Sequence, residues 1–327
     1  MVLPEALALL ACPACRAGLA RSMRGALACT ACGAVYVVDD GIPDLRLPGD
    51  ARSETVRDFY AVAPFPGYPP RLSLSGLRAR AARSDLARAL DAAIPGDARV
   101  LEVGCGTGQM SLYLASADRV VVGADFQRAS LALGRSAAAR LGVQGLQLVE
   151  TNLLAPGLRA GAFDVVLALG VLHHTADPRA AFRAIAGLAR PGGFIVVTLY
   201  HTLARLPHRL RRGLARLFGY RRVPFDPILR DRVAEPARRE AWLRDQYLHP
   251  EEHRHFVGEV RRWFDENGVT FLRTLPSCLF GADGAETREL FEPEGDDWRF
   301  EEAVAQIGWI PSLAGEGGVF ASVGRRR

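Results

Sequence analysis

Four cysteines in two Cys-x-x-Cys pairs, Cys12 with Cys15 and Cys29 with Cys32, carry the most specific chemistry in the sequence. Each pair can offer two thiolates from one tight turn, and two such turns close a tetrahedral Zn²⁺ site that keeps no open position. A redox pair needs no matching second pair, so the spacing favours structural zinc over disulfide chemistry. Further along stand Glu102, the glycine turn Gly104-Cys105-Gly106-Thr107-Gly108, and Asp125. A third group is His173-His174 within Gly170-Val171-Leu172-His173-His174-Thr175. An imidazole titrates near neutral pH, so either histidine can act as a general base; the alternative is packing against neighbouring structure or capping a helix.

Periodicity identifies the elements that must position these groups. Val100–Val103 reads as a buried strand, followed by the glycine turn and a helix through Ala115. Next come the strand Val120–Ala124, a helix over about 127–141, and the strand Leu146–Glu150. Strand-helix-strand alternation builds a right-handed parallel sheet, with the glycine turn and Asp125 at its carboxyl edge. A fifth strand, Phe194–Leu199, precedes a predicted helix over 252–267 and strands over 269–275 and 318–323.

The glycine turn must be assigned either to a dinucleotide or to another adenosine cofactor. The dinucleotide fingerprint wants a small residue where Gln109 stands, and the third glycine comes early, at Gly108. A carboxylate at Glu102 would repel a pyrophosphate but suits the cationic amino and sulfonium groups of S-adenosylmethionine. Asp125, about 20 residues after the turn, is placed to accept both ribose hydroxyls.

The run from Leu101 to Gln109, Leu-Glu-Val-Gly-Cys-Gly-Thr-Gly-Gln, resembles motif I of class I S-adenosylmethionine-dependent methyltransferases of the UbiE-like kind. Phe163-Asp164-Val165-Val166, Gly170 to His174, Asp177-Pro178 and Arg190-Pro191-Gly192-Gly193 extend that resemblance over about residues 95–200. Residues 8–48 resemble the Trm112-like zinc ribbons of bacterial methyltransferases. The resemblance implies an α/β fold: a Rossmann-like seven-stranded sheet, mostly parallel with the last strand antiparallel, preceded by a small zinc ribbon. It implies S-adenosyl-L-methionine as cofactor, with Glu102, Gly104, Gly106 and Gly108 around its methionine part and Asp125 at its ribose. Asn152 would meet the adenine amino group, with Phe126, Leu153 and Gly170 as further contacts. Tyr60 would close over the cofactor as a lid.

The acceptor is less legible. The loop Gly170-Val171-Leu172-His173-His174-Thr175 lacks the Asn/Asp-Pro-Pro-Tyr/Phe signature of amino-group methylation and the Pro-Cys nucleophile used on pyrimidine carbon. Methyl transfer is an in-line displacement that needs chiefly alignment and exclusion of water. An insertion over about 200–250 is long for a plain connection and can cover a substrate pocket. Trp242 and the cluster Asp245-Gln246-Tyr247-Leu248-His249 are its candidate pocket residues. Within it Leu203, Leu206, Leu210, Leu214 and Leu217 recur at helical spacing, with Arg205, Arg209, Arg212 and Arg216 mostly on the other face. A cap helix with buried leucines is the favoured reading; peripheral membrane contact through residues 203–218 is the alternative. The resulting expectation is methyl transfer to a small or medium-sized metabolite, at oxygen. The alternatives are an RNA methyltransferase that docks its substrate through the ribbon, and a non-catalytic cofactor-binding protein.

Bulk properties fit this reading. With 327 residues the chain can hold a ribbon over 1–48, an aromatic and proline-rich link with a helical lid over 49–94, and a methyltransferase domain over 95–327. The net charge of +5 comes from a sequence whose 41 basic residues are all arginine. That bias, alongside abundant alanine, glycine and leucine, reflects a GC-rich genome better than a selected nucleic-acid surface. The Leu9-Leu10-Ala11-Cys12 run lacks the basic n-region of an export signal. No apolar stretch is long enough to span a membrane, and the cysteine usage suits a reducing compartment, so a cytoplasmic location is expected.

Overall fold

The computed structural model describes residues 2–23, 25–47, 68, 71–117, 119–220, 223, 226, 229, 236–249, 251–279, 289–295, 299–313 and 317–327. A three-stranded sheet of β1 (Leu19–Arg21), β2 (Leu27–Cys29) and β3 (Val35–Tyr36) comes first, then the pair β4 (Val38–Asp39) and β5 (Ile42–Pro43). The large sheet comprises β6 (Arg99–Val103), β7 (Val120–Asp125), β8 (Leu146–Glu150), β9 (Phe163–Ala168), β10 (Ala189–Tyr200), β11 (Val269–Leu275) and β12 (Val319–Arg326). Its order is β11-β12-β10-β9-β6-β7-β8. Neighbours from β10 to β8 pair in parallel, and β12 runs antiparallel to β10 and β11. This is the expected seven-stranded, mostly parallel sheet with an antiparallel last strand.

The central strands form because their residues are apolar on both faces, as helix-covered parallel strands require. Val100, Leu101, Val121, Val122, Val165 and Val166 are all fully buried. Short polar caps start the covering helices. Ser84 accepts from the Ala87 N–H at the head of Asp85–Ala93, and Asp177 accepts from Ala180 N–H where Pro178 opens Pro178–Ala186. The chain leaves β6 toward β7 and β8 on one side and returns to β9 on the other. That reversal opens a crevice at the carboxyl ends of β6 and β9, where such sheets bind ligands.

The cysteine-bearing segment shares its hydrophobic core with this sheet: Leu10, Cys12, Leu27, Cys29 and Leu45 belong to the same buried cluster as Leu101, Val122, Val149 and Phe163. Backbone bonds stitch the two together, Ala11 N–H to Gly157 O at 3.1 Å and Leu45 N–H to Glu150 O at 2.7 Å. Asp44 bridges Glu150 in parallel, so the segment covers the outer edge of β8, which would otherwise be an open strand. The fit is close enough to demand glycine: a Cβ on Gly157 would lie 2.5 Å from that of Leu45.

The insertion contains the helices Leu206–Phe218 and Pro236–Leu243, the latter running into a wide turn, Arg244–Leu248. The expectation of buried leucines fails on the first helix. Leu210 is 71% exposed, Leu217 78% and Phe218 80%, and Leu214 is exposed as well. The helix is seated instead by Arg205, His208 and Ala215, which are buried. Their anchors lie far along the chain, in residues 246–252, out of reach of a local periodicity argument. Among the described residues no helix is long and apolar enough to cross a membrane.

Candidate functional site

A cavity of about 560 Å³ opens at the carboxyl ends of β6, β7 and β9. Glu102, Gly104, Gly106, Asp125, Phe126, Asn152, Leu153 and Gly170 line it, and so do His173, His174 and Trp242. Gly108 is not on the wall. It adopts a left-handed conformation, φ 75°, as the N-cap of the helix Gln109–Ala115. Tyr60 lies outside the described residues. From the same aromatic link, Tyr68 donates its hydroxyl to the carbonyl of Thr107 at 2.8 Å and so braces the glycine turn.

Two carboxylates dominate the polar wall. Glu102 accepts from the Ser111 N–H at 2.8 Å and from the Ser111 hydroxyl. Burial pushes its carboxyl up to about 7, against the downward pull of the Ser111 hydrogen bonds. Asp125 accepts from Gly106 N–H and Gln127 N–H, each at 2.8 Å, which ties the glycine turn to the end of β7. Its pKa is raised by burial, which outweighs those backbone donors. A cationic or hydrogen-bond-donating ligand would favour the ionised form of both groups.

Gly104 has φ 63°, and a Cβ there would lie 2.3 Å from Cγ2 of Val171, so the glycine turn and the loop after β9 are in contact. Gly170, also at positive φ, donates its N–H to Thr198 Oγ1 on β10 at 2.7 Å. Asn152 turns its side-chain carbonyl onto the N–H of Leu154 at 2.9 Å. One lone pair of that oxygen and the amide NH₂ remain to meet a ligand.

His173 and His174 sit in a single 3-10 turn, Leu172–His174. His174 Nδ1 lies 2.8 Å from the carbonyl of Glu251. A carbonyl only accepts, so Nδ1 carries the hydrogen and Nε2 of the neutral ring is left with its lone pair. Burial pulls the His174 pKa down to about 4, although the Glu251 carbonyl and the Glu252 carboxylate raise it. His173 is held well below its ordinary value, first by burial and then by the neighbouring cationic and histidine groups. Its Nδ1 has no hydrogen-bond partner among the described residues, and its ring rests 3.9 Å from that of Tyr200. Both rings are therefore neutral at physiological pH.

The candidate pocket residues of the insertion divide. Trp242 lines the cavity and donates Nε1–H to Asp226 at 3.2 Å. Tyr247 and His249 do not line it. Tyr247 is buried with its hydroxyl on the same Asp226 oxygen at 2.7 Å, and the His249 ring packs against that of His174, centroids 3.8 Å apart at a tilt of 37°. Gln246, from the same candidate cluster, does line it, and so does Tyr200, which the sequence reading missed. Gln246 Nε2 donates to the Tyr200 hydroxyl at 2.9 Å and Gln246 Oε1 accepts from buried Arg205 at 2.6 Å, while the Arg205 guanidinium stacks 3.7 Å above the Tyr200 ring. The available signal was Tyr200's place at the carboxyl end of a central strand, the edge where ligands gather.

The four cysteines of the ribbon converge, their sulfurs all within 4.8 Å of one another. Cys12 and Cys32 sulfurs are 3.7 Å apart and those of Cys15 and Cys29 3.3 Å. A tetrahedral zinc with Zn–S bonds of ~2.3 Å separates neighbouring sulfurs by about 3.8 Å, so this donor set fits structural Zn²⁺ with every position taken by protein.

Comparison with known proteins follows the same division. Residues 101–197 match the methyltransferase domain family and residues 4–41 the Trm112p-like protein family. An uncharacterized protein of Synechococcus is 30% identical over 217 residues, covering 57% of this chain and 52% of that protein. A ubiquinone biosynthesis O-methyltransferase of Cronobacter sakazakii is 30% identical over 160 residues, 49% of this chain and 64% of that protein. The chain thus spans 52% and 64% of the length of these curated relatives. Among solved structures, PKMT2 from Rickettsia typhi has the same fold, with a TM-score of 0.51 at 14% identity over 80% of this chain and 55% of that one.

Proposed function

We propose that this chain, which carries a methyltransferase domain behind a Trm112p-like ribbon, transfers a methyl group from S-adenosylmethionine to an oxygen of a small or medium-sized hydroxylated metabolite. The observation that carries the reading is one cavity that combines the buried carboxylates Glu102 and Asp125, the positive-φ glycines 104, 106 and 170, and the neutral histidine pair. When bound, S-adenosylmethionine supplies an electrophilic methyl on a sulfonium centre.

Everything else falls to the chain's own residues. Glu102 offers negative charge to the cofactor's ammonium group, and Asp125 keeps acceptor lone pairs for ribose hydroxyls beyond the backbone donors of Gly106, Gln127 and Phe126. Gly104 and Gly106 keep the turn free of side chains where the cofactor must approach the backbone. His174 Nε2 accepts the proton of the acceptor hydroxyl as the oxygen attacks, with Nδ1–H held on Glu251 to fix the ring. Tyr200 and Gln246 supply a hydroxyl and an amide to orient the acceptor, and Leu153, Leu169 and Trp242 exclude water around it. The name of the Cronobacter relative supports oxygen as the reacting atom.

The test is methyl transfer from labelled S-adenosylmethionine to a panel of phenols, catechols, aliphatic alcohols and total RNA. The proposal predicts a labelled small-molecule ether whose formation falls at least tenfold in Asp125→Ala when the cofactor is not saturating. Labelling of RNA alone, or of nitrogen rather than oxygen, would replace it.

A further inference from the structure

The helix Leu206–Phe218 presents to solvent an unusual surface for a soluble fold. At 100° per residue, Leu206, Leu210, Leu214 and Leu217 fall within an arc of roughly 80°, with Phe218 at its border. Arg209 and Arg216 flank one side of this arc and Arg211 the other, and the helix contains no acidic residue. Leu210, Leu214, Leu217 and Phe218 are exposed, as are Arg209 and Arg216.

The helix's inward cations are already matched. Arg205 and Arg212 both reach Glu252, at 3.1 and 3.3 Å. Arg209, Arg211 and Arg216 make no ion pair with a described residue. Arg254 adds to the positive field, its own pKa lowered by burial and then by nearby Arg209.

We infer that this helix is a docking surface for an anionic lipid bilayer, lying in the plane of the interface with its leucines among the acyl chains and its arginines at the headgroups. Charge selects the occupant. An apolar stripe rimmed by arginines, with no carboxylate, matches a sheet of phosphate headgroups around a hydrocarbon interior. Two copies meeting through this face would set arginine against arginine, which disfavours a self-complementary dimer. The helix is also fixed for the purpose. Its root, Arg205, is hydrogen-bonded to Gln246 on the cavity wall, so a docked protein would hold its cavity at a set height above the membrane. The inference stands whichever acceptor the cavity takes.

Co-sedimentation of the full chain with phosphatidylcholine vesicles, with and without phosphatidylglycerol, tests it. Binding is expected only to the phosphatidylglycerol vesicles and should weaken as salt is raised. The triple variant Leu210→Gln/Leu214→Gln/Leu217→Gln should lose binding. Arg209→Gln/Arg216→Gln should weaken it on the order of 25-fold, roughly fivefold for each charge near the surface. These side chains are exposed, so both variants should keep the wild-type circular dichroism and melting temperature. Absence of binding at low salt would overturn the inference. So would equal binding by folded variants, or a concentration-dependent dimer dissolved by the leucine changes.

Discussion

Replacing Glu252 with glutamine removes the carboxylate that neutralises the root of the insertion. Arg205 has a fully buried side chain and Glu252 one that is 8% exposed, with 3.1 Å between nitrogen and oxygen. Arg205 cannot swing into water to escape the loss, because it also donates to Gln246 Oε1 at 2.6 Å and Gly317 O at 2.7 Å while lying on the Tyr200 ring. Arg212 and Arg254 would add their repulsion. Breaking a buried pair by removing one partner costs about 3–5 kcal/mol, because the other charge stays buried without its counter-ion. For a chain of this size that lowers the melting temperature on the order of 10 °C. Equilibrium urea denaturation of wild type and Glu252→Gln measures the difference, and Arg205→Met/Glu252→Leu should recover most of it. Burial raises the Glu252 pKa, but Arg205 and then Arg212 bring it below its ordinary value overall. The stabilisation is therefore present above the unfolded carboxyl's pKa and is lost as pH falls through the folded one. A loss under about 1 kcal/mol, the worth of a surface pair, would refute the argument that this network holds the cavity wall.

Gly104→Ala places a Cβ 2.3 Å from Val171 Cγ2 at φ 63°. The left-handed backbone alone costs an L residue about 1–2 kcal/mol. Titration with S-adenosylhomocysteine should show at least tenfold weaker binding, and unchanged affinity would mean the turn is not the cofactor cradle. Because His174 is lowered to about 4, its folded pKa lies below the unfolded value, and the unfolded chain takes up more protons below about 6.5. Stability should therefore fall as pH drops from about 6.5 toward 4, by up to ~1.4 kcal/mol per pH unit for such a histidine. If His174 is the base, the acidic limb of the kcat/KM profile, which reports the free enzyme, lies near pH 4, and a limb near 6.5 would exclude it. Stripping metal with a chelator, or making Cys29→Ser, should lower the melting temperature in one cooperative transition, because the ribbon and the large sheet share a core. A separate low-temperature transition in calorimetry would show that the ribbon unfolds alone.

The large sheet was legible because its strands are apolar runs buried on both faces, and Leu146–Glu150 and Val269–Leu275 begin and end where periodicity puts them. Periodicity starts the strand only at Phe194, yet β10 starts at Ala189 and passes through Arg190-Pro191-Gly192-Gly193 as a bulge with a shifted register against β9. Gly193 has room for nothing larger there, since its Cβ would meet the carbonyls of Arg190 and Asp164 at about 3 Å. The helix predicted from Glu252 begins only at Val257, because residues before it pair elsewhere: His253 N–H with His173 O, and His255 with Tyr200 and Thr202. The cavity's carboxylates and glycines could be named from spacing, since each closes a local turn. The Arg205–Gln246–Tyr200 network and the facing of the Leu206–Phe218 helix could not, because they depend on contacts across some forty residues or more. For the same reason the ribbon reads as an appendage although it covers the edge of β8.

The most direct test of the central claim is calorimetric titration of the full chain with S-adenosylhomocysteine, in parallel with Asp125→Ala. The account predicts micromolar-range binding by the wild type. It predicts a loss of about 1.5–3 kcal/mol in the variant, the worth of a hydrogen bond to a charged group. No binding by folded wild-type protein, or the same affinity in both, would contradict it.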